Sequence, residues 1–140
     1  MTFFYPVKHF LRECIWEGRL PLWNPYVLCG YPFIADIQAG VFYPGGILFY
    51  LFPPETAYGP TMALHFFIAA LGMFCFVSEL GYARTAAWVA GALYAFNGFA
   101  LRHVFAGHLT LFQTAAWAPW LWWSYRRAVG LSGARGWTPL

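Results

Sequence analysis

Residues 58–77, YGPTMALHFFIAALGMFCFV, decide the fold class because this run of twenty residues contains no Asp, Glu, Lys or Arg. A helix needs about 20 mostly apolar residues to cross the roughly 30 Å hydrocarbon core of a membrane. Residues 85–101 and 109–125 are similarly apolar, and Pro119 is expected to kink the last stretch. The sequence therefore predicts an all-α integral membrane protein whose transmembrane region, residues 57–140, contains about three membrane-spanning helices.

The composition excludes an ordinary soluble domain. Of the 140 residues, 61% are hydrophobic and 9% are charged, whereas soluble domains have about 45–50% and about 25%. The formal net charge is +3, and the basic residues are scattered along the chain instead of forming a patch. The expected partner is therefore membrane lipid and not nucleic acid.

The second apolar stretch carries a face of small side chains. Ala87, Gly91 and Ala95 recur every four residues, which places them on one side of a helix. In membranes such a face lets a neighbouring helix approach closely. We predict a close helix contact there.

Basic residues beside the spans indicate the orientation. Arg84 precedes the second span, and Arg126, Arg127 and Arg135 follow the third. Lys and Arg collect in short cytoplasmic loops, so both regions are predicted to be cytoplasmic. Residues 1–56 then lie outside and the C-terminus inside. The outer region has basic residues of its own, but they are spread over a longer segment among acidic ones.

An amphipathic helix is predicted at about residues 6–17 of the extracytoplasmic region. Its apolar stripe has the i, i+3, i+4 spacing of one helical face and comprises Val7, Phe10, Leu11, Cys14 and Ile15. The opposite face comprises Lys8, His9, Arg12, Glu13 and Glu17. The stripe is expected either to lie in the membrane interface or to pack on other protein.

The rest of the extracytoplasmic region is predicted to be irregular. Residues 19–40 contain three prolines and two glycines, which favour a turn-rich loop. Residues 41–53 are apolar but too short to span, so we predict a re-entrant or interfacial half-helix. Cys14 and Cys29 are candidates for a disulfide if both lie outside, whereas Cys75 is expected to be a packing residue.

Polar residues gather at the predicted outer face. His65 lies in the outer part of its span, Arg102, His103 and His108 in the loop between the last two spans, and Asn24, Asp36 and Gln38 in the outer region. Each has a simpler interpretation, such as snorkelling, helix–helix hydrogen bonding or a turn. Together they suggest a site for an anionic, lipid-linked substrate. The basic residues would bind phosphate, and a loop carboxylate would act as a general base or hold a divalent metal ion.

A family resemblance rests on the run Gly18-Arg19-Leu20-Pro21-Leu22-Trp23-Asn24-Pro25, followed by Cys29-Gly30-Tyr31-Pro32-Phe33. Later stretches, Ala35-Asp36-Ile37-Gln38, Asn97-Gly98-Phe99, Gly107-His108 and Ala116-Trp117-Ala118-Pro119-Trp120, follow in the same order. With these residues the chain resembles the bacterial YfhO-like membrane protein family. That family is placed with the GT-C glycosyltransferases, which use polyprenyl-phosphate sugars.

The resemblance implies a larger enzyme in the bacterial cytoplasmic membrane, of which this chain is an N-terminal fragment without the first transmembrane helix. The catalytic Asp is then expected upstream of Met1, and Asp36 is a candidate for binding substrate or metal before it is one for catalysis. No signal peptide is visible, although the predicted topology places residues 1–56 outside. An upstream helix would explain this, and the fragment alone is expected to be inactive.

The expected function is transfer of sugar from a polyprenyl-phosphate donor to an envelope glycan or lipid acceptor on the outer membrane face. Apart from a possible divalent metal ion, no cofactor is expected. The remaining helices of the full-length protein are the expected protein partners. The alternative is a non-enzymatic membrane protein, either a component of a lipid-linked sugar transporter or flippase, or a scaffold subunit.

Overall fold

The computed structural model describes residues 4–131, and the regular structure within that range is helical. The α-helices are α1 (Phe4–Trp16), α2 (Leu48–Leu51), α3 (Pro54–Glu79), α4 (Arg84–Ala95), α5 (Gly98–Ala106) and α6 (Leu109–Leu131). Two 3-10 turns, Phe33–Ala35 and Pro44–Gly46, lie between α1 and α2. The all-helical prediction is confirmed. Arg135, part of the orientation argument, lies outside the described residues.

The chain divides into two compact units. The first comprises Met1–Leu64 and Ala106–Thr110, and the second comprises His65–Phe105 and Leu111–Leu140. Helix α3 therefore contributes its first part, residues 54–64, to the first unit and the remainder to the second. The predicted division into regions 1–56 and 57–140 stays a prediction.

The first unit is built on the apolar stripe of α1. Val7, Phe10, Leu11 and Cys14 are buried in one cluster with Phe33 and Ala39, which come from the loop that follows α1. The rings of Phe10 and Phe33 pack edge to face, with their centres 4.9 Å apart. Because the chain's own loop covers this stripe, the interpretation of α1 as a helix with its stripe in the membrane interface is wrong. Ile15, the last predicted member of the stripe, is exposed.

The predicted half-helix at residues 41–53 is present only as two short helical elements, and its re-entrant or interfacial location stays a prediction. This segment forms the 3-10 turn Pro44–Gly46 and the four-residue helix α2, which ends before Pro53. Consecutive glycines weaken an α-helix, and proline cannot continue one, which accounts for the short elements. Helix α2 packs on α1: the rings of Phe4 and Phe49 lie 6.4 Å apart, and Trp16 Nε1 donates to the Tyr50 carbonyl at 2.7 Å.

The second unit packs through small residues. Ala87, Gly91 and Ala95 are all buried, as the four-residue spacing predicted. A Cβ at Gly91 would lie 2.7 Å from the backbone carbonyl oxygen of Ala70, so the backbones of α3 and α4 are in close contact here. Ala95 also joins Ala69 and Ala116 in a buried cluster. The predicted close helix contact is confirmed.

Among the described helices, α3 is long and apolar enough to cross a membrane. The second predicted span differs from the structure, which divides residues 85–101 between α4 and α5. Asn97 causes the break, because its Nδ2 donates to the Tyr94 carbonyl at the end of α4. Its Oδ1 accepts from the Ala100 N–H and so caps α5. Helix α6 continues through Pro119. Membrane crossing by three helices stays a prediction.

Candidate functional site

A tight turn forms where the sequence reads Trp23-Asn24-Pro25. The backbones of Asn24 and Tyr31 pair as an antiparallel bridge through two hydrogen bonds of 3.0 Å. Asn24 is buried, and its Oδ1 accepts from the Tyr26 N–H at 2.9 Å. The side chain that was a candidate for substrate binding therefore holds the turn, which is a common role of asparagine.

The end of this turn is strained, and a glycine is required there. Leu28 and Cys29 both have positive φ, 53° and 59°, in the left-handed region that non-glycine residues rarely adopt. Gly30 follows with φ 99°, and a Cβ there would lie 2.8 Å from Trp23 Nε1. Cys29 is exposed and Cys14 is buried, and both are free thiols, so the disulfide alternative is wrong.

Asp36 lies half-buried just beyond this turn, at the end of the first 3-10 turn. Its Oδ1 accepts from the Gln38 N–H at 2.8 Å, and its Oδ2 accepts from the Tyr31 hydroxyl at 3.1 Å. Burial, together with the charge of Asp36, raises the pKa of Tyr31, which keeps that hydroxyl a neutral donor. The two hydrogen bonds hold the carboxylate in one orientation, while the Gln38 side chain is exposed.

Lys8 is a functional candidate that the sequence reasoning missed. It was assigned to the polar face of α1, but it is only 3% exposed. Its Nζ donates to the Ala39 carbonyl at 2.5 Å and lies 5.3 Å and 5.2 Å from the ring centres of Phe4 and Phe49. Burial lowers the pKa of Lys8 to about 8, and the nearby Asp36 carboxylate partly opposes this decrease. Although Lys8 was predicted on the face opposite the apolar stripe, its side chain is therefore part of the buried interior of the first unit.

Lys8, Tyr31 and Asp36 together form what we call the Lys8–Asp36 cluster. In the described part of the chain, no direct ion pair joins Lys8 to Asp36, so the two groups act on each other through their charges. A buried amine near a held carboxylate is an arrangement found more often at functional sites than elsewhere. Chemically, the cluster offers a carboxylate that accepts hydrogen bonds and an ammonium group that titrates near pH 8.

One sequence signal could have indicated the burial of Lys8. Lys8 follows Phe4 by four residues and precedes Leu11 by three, so it borders the apolar stripe on both sides. A lysine stem at such a position readily covers apolar surface. The acceptor for its amine, the Ala39 carbonyl, is 31 residues away and could not be found from local spacing.

The predicted basic group of the outer loop is arranged differently. Arg102 and His103 are not in a loop, because α5 extends to Ala106 and ends at Gly107, which has φ 79°. A glycine with positive φ commonly terminates a helix. Arg102 is exposed. The distance between His103 Nδ1 and the carbonyl oxygen of Phe99 is 2.8 Å. His108 is exposed and belongs to the first unit.

The remaining candidates are distributed between the two units. His65 is fully buried and is the first residue of the second unit, to which Arg102 and His103 also belong. Asn24, Asp36, Gln38 and His108 belong to the first. Of the sequence-predicted residues, the structure brings Asp36 into direct contact with Gln38, through the backbone N–H of the latter.

A divalent metal ion requires several oxygen, nitrogen or sulfur ligands at one place. Within residues 4–131, no three His, Cys, Asp or Glu side chains lie close enough together to hold such an ion. The divalent metal ion that the loop carboxylate suggested stays a prediction.

Comparison of the chain with family models, curated proteins and solved structures found no match.

Proposed function

We propose that this chain is part of a polytopic, YfhO-like membrane glycosyltransferase in the bacterial cytoplasmic membrane. It would take part in transfer of sugar from a polyprenyl-phosphate donor to a cell-envelope acceptor on the outer face. Residues of the run on which the family resemblance rests also contact one another in the structure. The backbones of Asn24 and Tyr31 pair, and Gly30 packs against Trp23. This supports the run as a folded element and not a chance string of residues.

The surface of the second unit supports placement in a membrane. Only 28% of the most apolar 18-residue stretch of α3 is buried, whereas the core helix of a soluble protein would be mostly buried. Large apolar side chains are exposed along α3, α4 and α6, among them Phe67, Trp88, Leu93 and Leu121. Monomeric soluble proteins rarely expose extensive apolar surface, whereas lipid-facing helices require it.

The observation that carries the enzymatic proposal is the Lys8–Asp36 cluster. Two hydrogen bonds hold the Asp36 carboxylate, and an adjacent lysine is buried despite the free-energy cost of desolvating its charge. Proteins tolerate such costs most often where chemistry or binding requires them. In the proposed enzyme, Asp36 accepts a hydrogen bond from a sugar hydroxyl, and Lys8 stabilises the negative charge of that carboxylate.

In the proposed reaction, the acceptor hydroxyl oxygen bonds to the anomeric carbon of the donor sugar. The bond between that carbon and the phosphate oxygen breaks, and the electron pair leaves on the lipid phosphate. The acceptor proton passes to a general base, for which the resemblance implies an Asp upstream of Met1. Arg102, His103 and His108 are assigned to binding phosphate through charge-assisted hydrogen bonds.

The non-enzymatic alternative is supported by a specific observation. Both Asp36 oxygens and the Lys8 amine bond to groups of the same loop, which is also what a purely structural cluster would do. If so, the chain belongs to a scaffold, or to a transporter or flippase for lipid-linked sugars, in which no bond is broken.

The test measures sugar transfer in membranes that contain the full-length protein, with radiolabelled polyprenyl-phosphate sugars as donors. A charge-assisted hydrogen bond contributes about 1.5–3 kcal/mol, so Arg102→Ala and His108→Ala should each reduce transfer by about tenfold or more. Asp36→Asn should reduce transfer by a similar factor. Protein levels in the membrane fraction, measured by immunoblot, should stay unchanged.

Matched variants control for general effects of charge. Arg84→Ala removes an exposed arginine from the opposite predicted face, and Glu13→Gln removes an exposed carboxylate from α1. Both should retain transfer. Unchanged transfer in Arg102→Ala and His108→Ala would remove the phosphate assignment. If the wild-type protein is stable in the membrane but transfers no sugar from any donor, the non-enzymatic alternative is favoured.

A further inference from the structure

A cavity of about 260 Å³ lies within the second unit. Its wall combines small residues of α3 and α6, including Ala69 and Ala116, with the rings of Phe99 and Phe112. For comparison, an engineered apolar cavity of about 150 Å³ is large enough to hold benzene. The cavity therefore has room for a ligand of several carbon atoms.

The polar groups in the cavity wall already bond to the protein. The Tyr94 hydroxyl donates to the Ala115 carbonyl at 2.9 Å. Asn97 uses its Nδ2 on the Tyr94 carbonyl and its Oδ1 on the Ala100 N–H. A water molecule needs two to four polar partners to be stable in a cavity, and these groups offer few. The cavity thus favours an apolar occupant.

Phe99 marks the opening of the cavity. It is 49% exposed, whereas the other residues of the wall are buried or half-buried, and the ring of Phe112 is only 2% exposed. A molecule entering past Phe99 passes from an exposed aromatic ring to a fully enclosed one. The neighbouring Phe96 is also exposed, so the surface around the opening is apolar.

We propose that this cavity holds a segment of a phospholipid acyl chain. The inference rests on the membrane placement in the proposed function, because a bilayer brings acyl chains to the opening at high concentration. A flexible chain can enter beside Phe99 and reach Phe112, whereas the surface of a protein partner would stop at the opening. Because the chain segment moves from bilayer hydrocarbon into an apolar cavity, binding is favoured by the packing contacts it gains with the cavity wall and not by removal from water.

The experiment uses the full chain in vesicles of phosphatidylcholine that carries a photoreactive diazirine in one acyl chain. After irradiation, mass spectrometry locates the labelled residues. Labelling of Phe112 is the expected result, because this ring lines the cavity and is only 2% exposed. Leu93, an exposed residue of α4, should also be labelled, as any lipid-facing residue would be.

Two controls separate the cavity from general contact with lipid. Ala116→Leu adds three carbon atoms at the cavity wall and should cause a loss of Phe112 labelling, because less of an acyl chain then fits inside. Ala92→Leu, at an exposed position on α4, should leave it unchanged. A phosphatidylcholine with its diazirine in the headgroup should not label Phe112, which tests the wild-type chain even if Ala116→Leu fails to fold.

The outcomes distinguish this inference from the proposal on which it rests. Labelling of Leu93 without Phe112 would leave the membrane placement intact and overturn the acyl-chain site. Equal labelling of Phe112 by the headgroup reagent would also overturn it. If the chain does not associate with the vesicles and neither residue is labelled, the membrane placement fails and the inference fails with it.

Discussion

The two units of the chain bury different kinds of side chain. In the first, large residues such as Phe10, Leu11 and Phe33 form the core, as in a soluble protein. In the second, a buried cluster contains the alanines Ala69, Ala95 and Ala116. Both units expose large apolar side chains, so the difference lies in what each unit buries. The first unit also buries a lysine, whose amine bonds to the backbone of a loop.

This difference reflects two sources of stability. A core of large side chains gains free energy by removing apolar surface from water, about 25 cal/mol per Å². Helices in lipid gain little in that way, and they associate through close backbone packing at small residues instead. The contrast is therefore expected if the first unit folds in an aqueous or interfacial environment and the second folds within a bilayer.

The largest expected effect is the loss of stability when a buried aromatic ring of the first unit is truncated. Truncating an exposed ring of the second unit is the comparison. Phe33→Ala removes a fully buried ring that packs on Phe10 at 4.9 Å, and should destabilise the first unit by about 3–5 kcal/mol. Phe67→Ala removes a ring that is 64% exposed on α3 and should change stability by less than about 0.5 kcal/mol in detergent.

Hydrogen exchange of backbone amides measures both effects locally, α1 reporting on the first unit and α4 on the second. The paired variants differ in burial but remove the same ring, so each is a control for the other. Comparable losses of protection in the two units would contradict the distinction between an aromatic core and an exposed aromatic surface.

The pH dependence of the first unit should be the second largest effect. The pKa of Lys8 falls from 10.5 to about 8 on folding, so between these pH values the unfolded chain binds more protons than the folded chain. The free energy of unfolding should therefore rise with pH over this interval. At about 1.4 kcal/mol per pKa unit, the increase is at most about 3.5 kcal/mol. Below pH 8 the buried charge lowers stability.

Denaturant unfolding followed by tryptophan fluorescence, repeated across this interval, measures the increase. Lys8→Met is the control, because it retains the unbranched side chain but has no amine to titrate. The wild-type curve should rise relative to that of Lys8→Met. Parallel curves for the two proteins would show that Lys8 does not titrate in this range, and the Lys8–Asp36 cluster would lose its electrostatic basis.

Much of the fold could be predicted because its signals are local. The spacing of Ala87, Gly91 and Ala95 indicated the small-residue contact, and the stripe of α1 indicated most of its buried face. The break within residues 85–101 was missed because hydropathy averaged over a window is insensitive to a single capping residue. Asn97-Gly98 is a recognised turn signal, so the break could have been found from these two residues.

The candidate site was less predictable because it depends on contacts between distant residues. Asp36 was a candidate, but its Tyr31 partner became evident only from the bridge between Tyr31 and Asn24. Lys8 was placed on the polar face of α1 because lysine is usually charged and exposed. The pairing of its amine with Ala39 follows from how the loop folds back on α1, which neither composition nor helical periodicity specifies.

The smallest of these expected effects tests the packing of the second unit. Gly91→Ala places a methyl group 2.7 Å from the Ala70 carbonyl oxygen, a backbone atom that can move only if α3 and α4 separate. Overpacking of this kind costs about 1–3 kcal/mol. Alanine is about 1 kcal/mol better than glycine within a helix, which offsets part of that cost. We expect a net destabilisation of up to about 2 kcal/mol.

Gly130→Ala is the matched control, because Gly130 lies in α6 and nothing is within 4 Å of its Cβ position. That variant should be neutral or slightly more stable, since only the helix preference of alanine acts there. Thermal unfolding in detergent micelles compares the two variants. If Gly91→Ala were as stable as Gly130→Ala, α3 and α4 would not be in backbone contact at this position. Small-residue packing would then not explain how the second unit is stable while its large side chains are exposed.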